Sequence, residues 1–312
     1  MIKTSLGLIA GSSHPKLASA IATALDSTLV PVVIRSFPNS ETHVQITGDV
    51  TDKDIFIVQA TTVPANDHLV ELLLLVDAVR RGRPRRITVV LPYVGYGRQD
   101  RVSQVGEPIS AQVVARILRS VGVDQLIVVD SHSLAFGEFC TMEQMAITEL
   151  SAVPVLAEAI IAMGLADMQI VSPDRGGISR AEQFAHLVTP GRPPLVIPKK
   201  RIDHETVTMD QIVGQVGGTA IIVDDVLSTG GTICEAARLL ARAGAKKIWV
   251  AITHGEFIGQ ARTKLVAAPI DGLLVSDSLP PRRGKKVRNL HQVSLVDILA
   301  QEIHEAHRLF RA

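Results

Sequence analysis

Cysteine is nearly absent: the chain of 312 residues holds two, Cys140 and Cys234, with no metal-ligand spacing. So sparse a supply argues against a disulfide framework and fits a reducing compartment. Net charge is almost absent as well. Thirty-two Lys and Arg balance 31 Asp and Glu, leaving a formal +1, so no global field draws the chain to nucleic acid or to an anionic membrane. Long apolar runs are missing too. HLVELLLLVDAV is too short to span a bilayer and is broken by acids. MIKTSLGLIAGSS lacks a long apolar stretch and reads as a first strand and turn, not a signal peptide. No low-complexity linker interrupts the chain. The expectation is a soluble, cytoplasmic protein. Its 46% hydrophobic content excludes disorder, and its length allows two cores of ordinary domain size.

Short apolar, strand-like runs alternate with helix-like runs, at residues 7–10, 30–35, 55–59, 87–92, 125–130, 169–172, 195–197, 220–223, 248–253 and 272–275. That alternation predicts an α/β fold with mainly parallel sheets flanked by helices. The order strand 55–59, helix 67–81, strand 87–92 recurs at similar spacing as strand 220–223, helix 232–243, strand 248–253. Two duplicated domains follow, residues 1–148 and 149–293. An amphipathic helix over 294–312 can pack back on either domain. Basic residues cluster at 80–86, 199–201 and 282–288, and such runs ordinarily mean solvated surface.

The most informative string is AIIVDDVLSTGGT, residues 220–232. A buried strand runs into Asp224 and Asp225, then into Ser228, Thr229, Gly230, Gly231 and Thr232, with helical spacing behind. A glycine pair between strand and helix lets backbone N–H groups converge, and the helix start adds partial positive charge suited to phosphate. Adjacent carboxylates can accept hydrogen bonds from vicinal sugar hydroxyls or influence a metal. The string resembles the phosphoribosyl-pyrophosphate-binding motif of type I phosphoribosyltransferases and ribose-phosphate pyrophosphokinases.

Four other stretches end strands or sit in loops. PYVGYGRQDR holds both tyrosines and places Arg98, Gln99 and Arg101 past a buried strand, where guanidinium groups suit a polyphosphate. Asp130-Ser131-His132 fits either a helix cap with a satisfied histidine or a magnesium–triphosphate site. Ser172-Pro173-Asp174-Arg175-Gly176-Gly177 fits a plain strand-to-helix turn or an anion cradle with Asp174 open to magnesium. Lys199-Lys200-Arg201 reads as solvated charge or as a cationic loop closing over a polyphosphate. His14 fits a turn near a helix cap better than a ligand.

Together with FPNSE, NDHLVELL, GEPISAQVVA and ITHGEF in family order, these stretches make almost the whole chain similar to ribose-phosphate pyrophosphokinases. The resemblance implies transfer of the diphosphoryl group of ATP to ribose 5-phosphate, giving 5-phosphoribosyl 1-diphosphate and AMP, with Mg2+. It implies Phe37, Asn39, Ser40 and Glu41 at the adenine, reaching a neighbouring subunit's site, and Arg98 and Gln99 at ATP. His132 and Asp174 match magnesium positions, and Lys199 and Arg201 the catalytic pair. Asp224, Asp225 and residues 228–232 match the ribose 5-phosphate site. A homo-oligomer built from dimers, up to a hexamer, is implied as well. Two departures stand out: Asn39-Ser40 replaces the usual acid–glycine pair, and Ser131 stands where the family prefers an apolar residue. A non-catalytic homologue should lack the catalytic cations, all present here. A plain phosphoribosyltransferase should lack the duplicated first half.

Overall fold

The computed structural model describes residues 5–197, 216–281, 284 and 286–311, and the backbone of residues 199–201 and 207–209. The chain divides into two compact units. One comprises residues 1–150, 278–280 and 295–312, the other residues 151–277 and 281–294.

The first unit opens with β1 (Leu6–Ala10) and α1 (Pro15–Ala24). His14 caps α1, its Nδ1 accepting from Leu17 N at 3.3 Å, and Pro15 occupies the first turn, where a missing N–H costs nothing. An antiparallel hairpin follows, β2 (Val32–Ser36) and β3 (Thr42–Ile46). Then come β4 (Asp54–Val58), α2 (Ala65–Arg81), β5 (Arg86–Leu91), α3 (Ser110–Ser120), β6 (Gln125–Val129), α4 (Ala135–Met142) and β7 (Ala146–Leu150). The sheet order is β1-β4-β5-β6-β7, parallel at every pairing. The run 30–35, expected beside the other strands, enters the hairpin instead. VVIRS alternates half-buried with exposed residues, the pattern of a strand covered on one face only.

The second unit begins with α5 (Val153–Ala162), β8 (Met168–Ser172), α6 (Ile178–Val188) and a two-residue β9 (Leu195–Val196). A second antiparallel hairpin, β10 (Lys199–Arg201) with β11 (Val207–Met209), precedes β12 (Thr219–Leu227). Next are α7 (Gly231–Arg242), β13 (Lys247–Gly255), α8 (Ala261–Ala267), β14 (Gly272–Ser276) and β15 (Leu290–Val293). The order β15-β14-β13-β12-β8-β9 is again parallel throughout. With β9 set aside, β8, β12, β13, β14 and β15 repeat the succession β1, β4, β5, β6 and β7, and a hairpin is inserted at the same step of each half.

The central strands are apolar because helices cover both faces. In β4 all five residues are buried, and in β12 eight of nine. Helix α7 buries Ile233, Ala236, Ala237 and Leu240, an i, i+3, i+4, i+7 stripe. Each fully buried Leu, Ile or Phe contributes about 1.5–3 kcal/mol.

The last helix, α9 (Val296–Arg311), belongs to the first unit and lies on α1. Its anchor is polar. Asp54, fully buried, accepts two bonds from Arg86 at 2.7 and 2.8 Å, and its Oδ2 lies 2.8 Å from His307 Nδ1. Arg86 also donates to Ala306 O at 2.9 Å and stacks 4.3 Å from the Phe310 ring. Arg86 is therefore no solvated member of a basic run: it is mostly buried and joins the start of β4 to α9.

Candidate active site

The second unit has a topological switch point. From β8 the chain passes through α6 to β9 on one side, whereas β12, β13, β14 and β15 extend the sheet on the other. Ligands bind α/β sheets in the crevice outside the carboxyl ends of the strands at such a point. Here β8 pairs with β12 only as far as Val171↔Ile222, while β12 runs on against β13 to Leu227↔Gly255. Asp224 and Asp225 therefore lie on the strand itself, not after it, where β12 has lost its β8 neighbour. The apolar pattern stops at Val223, but pairing with β13 continues.

Asp174, the second residue after β8, lines the same crevice. Its Oδ1 accepts from Gly177 N at 3.1 Å, and its carbonyl accepts from Ser172 Oγ at 2.7 Å. The acid thus shapes the turn as well as charging it. Burial first, then the neighbouring Asp225 and Asp174 carboxylates, hold the Asp224 carboxyl well above its ordinary range, while Arg180 opposes them. Asp225 is nearly buried, donates its N–H to Asp224 Oδ1 at 3.0 Å, and faces Arg180 at 3.5 Å.

Past β12, Ser228 to Thr232 carry the chain into α7. Gly230 sits at φ 75° with the start of α8 against it, a left-handed conformation that a side chain would strain. It is the N-cap of α7 and brings no side chain to the cap, so the first turn presents backbone N–H groups at the crevice. The segment after β13 fixes the loop, with Glu256 N donating to Leu227 O at 3.0 Å and Ile258 N to Ser228 O at 2.9 Å.

In the first unit, the β5 and β6 ends bring together a second group of candidates. Gly95 approaches Thr61 so closely that a Cβ would fall 2.4 Å from the Thr61 carbonyl, and Gly95 N donates to Thr61 Oγ1 at 2.6 Å. This fold of the loop exposes Arg98 and Gln99. The Gln99 side chain also accepts from Ser110 Oγ at 2.5 Å, tying the loop to the start of α3. A Cβ on Gly97 would lie 3.8 Å from His132 Cβ, so the exposed His132 stands beside this loop. Phe37, Asn39, Ser40 and Glu41 form the exposed tip of the β2–β3 hairpin, where the Phe37 ring meets His43 edge-on at 5.5 Å. Lys199 and Arg201 lie on β10, in register with Met209 and Val207. Pro198, Ile202 and Asp203 of that stretch lie outside the described residues.

A family model for the N-terminal domain of ribose phosphate pyrophosphokinase matches residues 6–122, and one for the phosphoribosyl synthetase-associated domain matches residues 191–311. The ribose-phosphate pyrophosphokinase of Gloeobacter violaceus is 37% identical over 97% of this chain and 90% of its own length. That of Bradyrhizobium diazoefficiens is 38% identical over 96% and 94% respectively. The chain belongs to the ribose-phosphate pyrophosphokinase family. Phosphoribosylpyrophosphate synthetase from Mycobacterium smegmatis superposes with a TM-score of 0.90 at 33% identity, covering 98% of this chain and 99% of that one.

Two side chains of this pyrophosphokinase escaped the sequence reading. Arg180, on α6, faces the acid pair, and a single arginine in a helix gives no signal of that. Glu149, on β7, bonds to Ser131, a contact across 18 residues that no motif announces. Among the described residues no group of three or more His, Cys, Asp or Glu could by itself hold a metal ion. A cavity of about 700 Å³ opens near Lys246, Leu265, Asp271 and Arg288, at the far ends of β13 and β14, away from the acid crevice. The crevice is recognised by strand ends and charge, not by enclosure.

Proposed function

We propose that this pyrophosphokinase transfers the β,γ-diphosphoryl group of ATP to the anomeric hydroxyl of ribose 5-phosphate, using the residues described above. The observation that carries the reading is the β8/β12 crevice, where Asp224 and Asp225 meet the uncapped start of α7. A sugar phosphate fits both features at once. Its phosphate takes the N–H groups and hydroxyls of Ser228 to Thr232, and its vicinal hydroxyls donate to Asp224 and Asp225. In the ATP role, Arg98 and Gln99 meet the polyphosphate, while Phe37, Asn39, Ser40 and Glu41 hold adenine, reaching the site of a second subunit.

Phosphoryl transfer asks for positioning and fixed positive charge rather than a protein nucleophile. Lys199 and Arg201 supply that charge to the diphosphoryl group as it leaves AMP. The donor set fits Mg2+: hard carboxylate oxygens gathered at the ends of β8 and β12 suit a divalent cation that keeps several waters. Asp174 and His132, each on its own unit, are the residues that would ligate Mg2+, which would neutralise charge on the phosphate oxygens. The working form is a cytoplasmic homo-oligomer built from dimers. Among the described residues no helix is long and apolar enough to cross a membrane.

The test is AMP formation from ATP, Mg2+ and ribose 5-phosphate. A protein that releases AMP only when all three are present supports the reading. One that makes none is a non-catalytic homologue.

A further inference from the structure

Asp130 and His132 share an uncommon feature: both are non-glycine residues at positive φ, 40° and 59°. Side chains adopt that region at a cost, and they persist there only where surroundings over-determine the backbone. Part of the determination is local. His132 N donates to Asp130 O at 2.8 Å and Ser133 N to Ser131 O at 2.6 Å, two tight turns in succession. Asp130 N donates to Leu150 O at 3.0 Å, continuing the β6–β7 ladder one step past the strand. Between them stands Ser131, almost wholly buried. Both of its donors converge on one atom: Ser131 N and Ser131 Oγ each reach Glu149 Oε1 at 2.8 Å. Hydrogen bonds to a carboxylate are roughly twice as strong as neutral ones, and two at one oxygen fix the peptide plane as well as the side chain. The residue just before Leu150 and the residue just before His132 are thereby locked across neighbouring strands.

We infer that Glu149 is a positioning residue for ATP binding: through Ser131 it holds the Asp130–His132 turn so that the His132 imidazole stands beside Gly97 and the Arg98–Gln99 loop. This inference rests on the reading of His132 and Arg98 as the polyphosphate side of the site. It also explains Ser131, the hydroxyl that stands where the family prefers an apolar residue: here a polar clamp does the work that packing would otherwise do. Both members of the clamp come from this chain's own sequence, so neither can be exchanged alone without leaving the other unmet.

The test measures binding of ATP with Mg2+ by calorimetry, without ribose 5-phosphate so that no turnover occurs, alongside steady-state AMP formation and thermal melting. Glu149→Ala removes both bonds and should weaken ATP about tenfold, while Ser131→Ala removes one and should weaken it about threefold. Glu149→Gln keeps an oxygen acceptor and should stay within about threefold of wild type. The KM for ribose 5-phosphate should hold, because that substrate binds the other unit's crevice. Combining Glu149→Ala with His132→Ala should weaken ATP no further than His132→Ala alone. Unchanged ATP affinity in Glu149→Ala, or equal weakening of both substrates, overturns the inference. Should Glu149→Ala fail to fold, Ser131→Ala decides, and wild-type affinity there overturns it equally. A wild type that binds ATP in a Glu149-dependent way yet makes no AMP would sink the proposed reaction and leave the clamp standing.

Discussion

Replacing Asp224 by Asn should stabilise the ligand-free protein while impairing it. Three carboxylates, Asp174, Asp224 and Asp225, line one crevice with Arg180 opposing them, and burial first, then the neighbouring carboxylates, hold the Asp224 carboxyl well above 3.8. The sign follows from linkage. A carboxyl with a raised folded pKa takes up a proton on folding, so stability is greatest below the unfolded pKa and falls as pH rises through the folded one. Asn mimics the protonated acid, keeps the oxygen that accepts from Asp225 N, and has no proton to lose. The variant and wild type should therefore melt together at acid pH and diverge as pH rises, the variant above. Relief of strain at a functional site typically gains about 0.5–2 kcal/mol. At roughly 2–4 °C per kcal/mol, that is a Tm gain of about 1–8 °C at pH 8. Ribose 5-phosphate should reverse the order, because a ligand stabilises only the form that binds it. The unmet sugar hydroxyl costs the variant about 1–3 kcal/mol of affinity. Calorimetry from about pH 3, below the unfolded carboxyl pKa, to about pH 9 with a chelator, with and without ribose 5-phosphate, reads both effects. A variant less stable than wild type at pH 8, a gap that does not close on the acid side, or an equal loss of ATP affinity would refute the reasoning.

Lys199→Ala should lower kcat by roughly 10²–10³-fold with little change in KM, the scale for losing one preorganised donor that acts in the transition state. Initial rates of AMP formation under saturating substrates check it, and a rate within about threefold of wild type would remove Lys199 from the mechanism, since an exposed charge is worth only about 0–1 kcal/mol. His132→Ala and Asp174→Ala should each raise the Mg2+ concentration for half-maximal rate; a fall in activity at fixed Mg2+ dependence would make them structural. Arg86→Met should destabilise the protein by about 3–5 kcal/mol, because it strands the buried Asp54 carboxylate. Chemical denaturation measures this, and a loss below ~1 kcal/mol would mean that His307 and solvent compensate Asp54.

Which parts of this fold were readable follows from what each strand buries. Residues 55–59, 87–92 and 248–253 announce themselves because both faces of the sheet are covered and the run is continuously apolar. THVQI, AITEL and LHQV escape because hairpin and edge strands bury one face or less and never assemble an apolar run. β12 is longer than its pattern for the opposite reason: pairing with β13 carries the strand through Asp224 and Asp225. In the site, the contiguous pieces were legible, since strand, acid pair and glycine turn follow one another in sequence. Arg180 and Glu149 were not, because each acts on a residue brought near only by folding.

The duplication is instructive at the one place where its halves part. In both units the first and second strands of the shared order pair in parallel, β1 with β4 to a common end and β8 with β12 as far as Val171↔Ile222. In the second unit that junction holds Asp174, Asp224 and Asp225, a crowd of charge left for a ligand to relieve. In the first, Gln59 follows β4 where Asp224 continues β12, and a different carboxylate, Glu71 of α2, enters the junction. Glu71 Oε1 accepts from Ser12 N at 2.7 Å and from Gln59 Nε2 at 2.9 Å, while its Oε2 accepts from Ser12 Oγ. Gln59 Oε1 accepts from Ser13 N at 3.0 Å, and Ser13 Oγ accepts from Ala60 N at 2.7 Å. Gln59 is wholly buried, and Glu71 and Ser13 nearly so. The backbone donors that would greet an anion after β1 are thus spent on the chain's own side chains. A buried polar network this fully paired rigidifies the sheet end and leaves no unmet group to recruit a phosphate. The same parallel architecture serves twice, then, with opposite electrostatics: one crevice sealed from within, the other held open by acids that fold only at a cost.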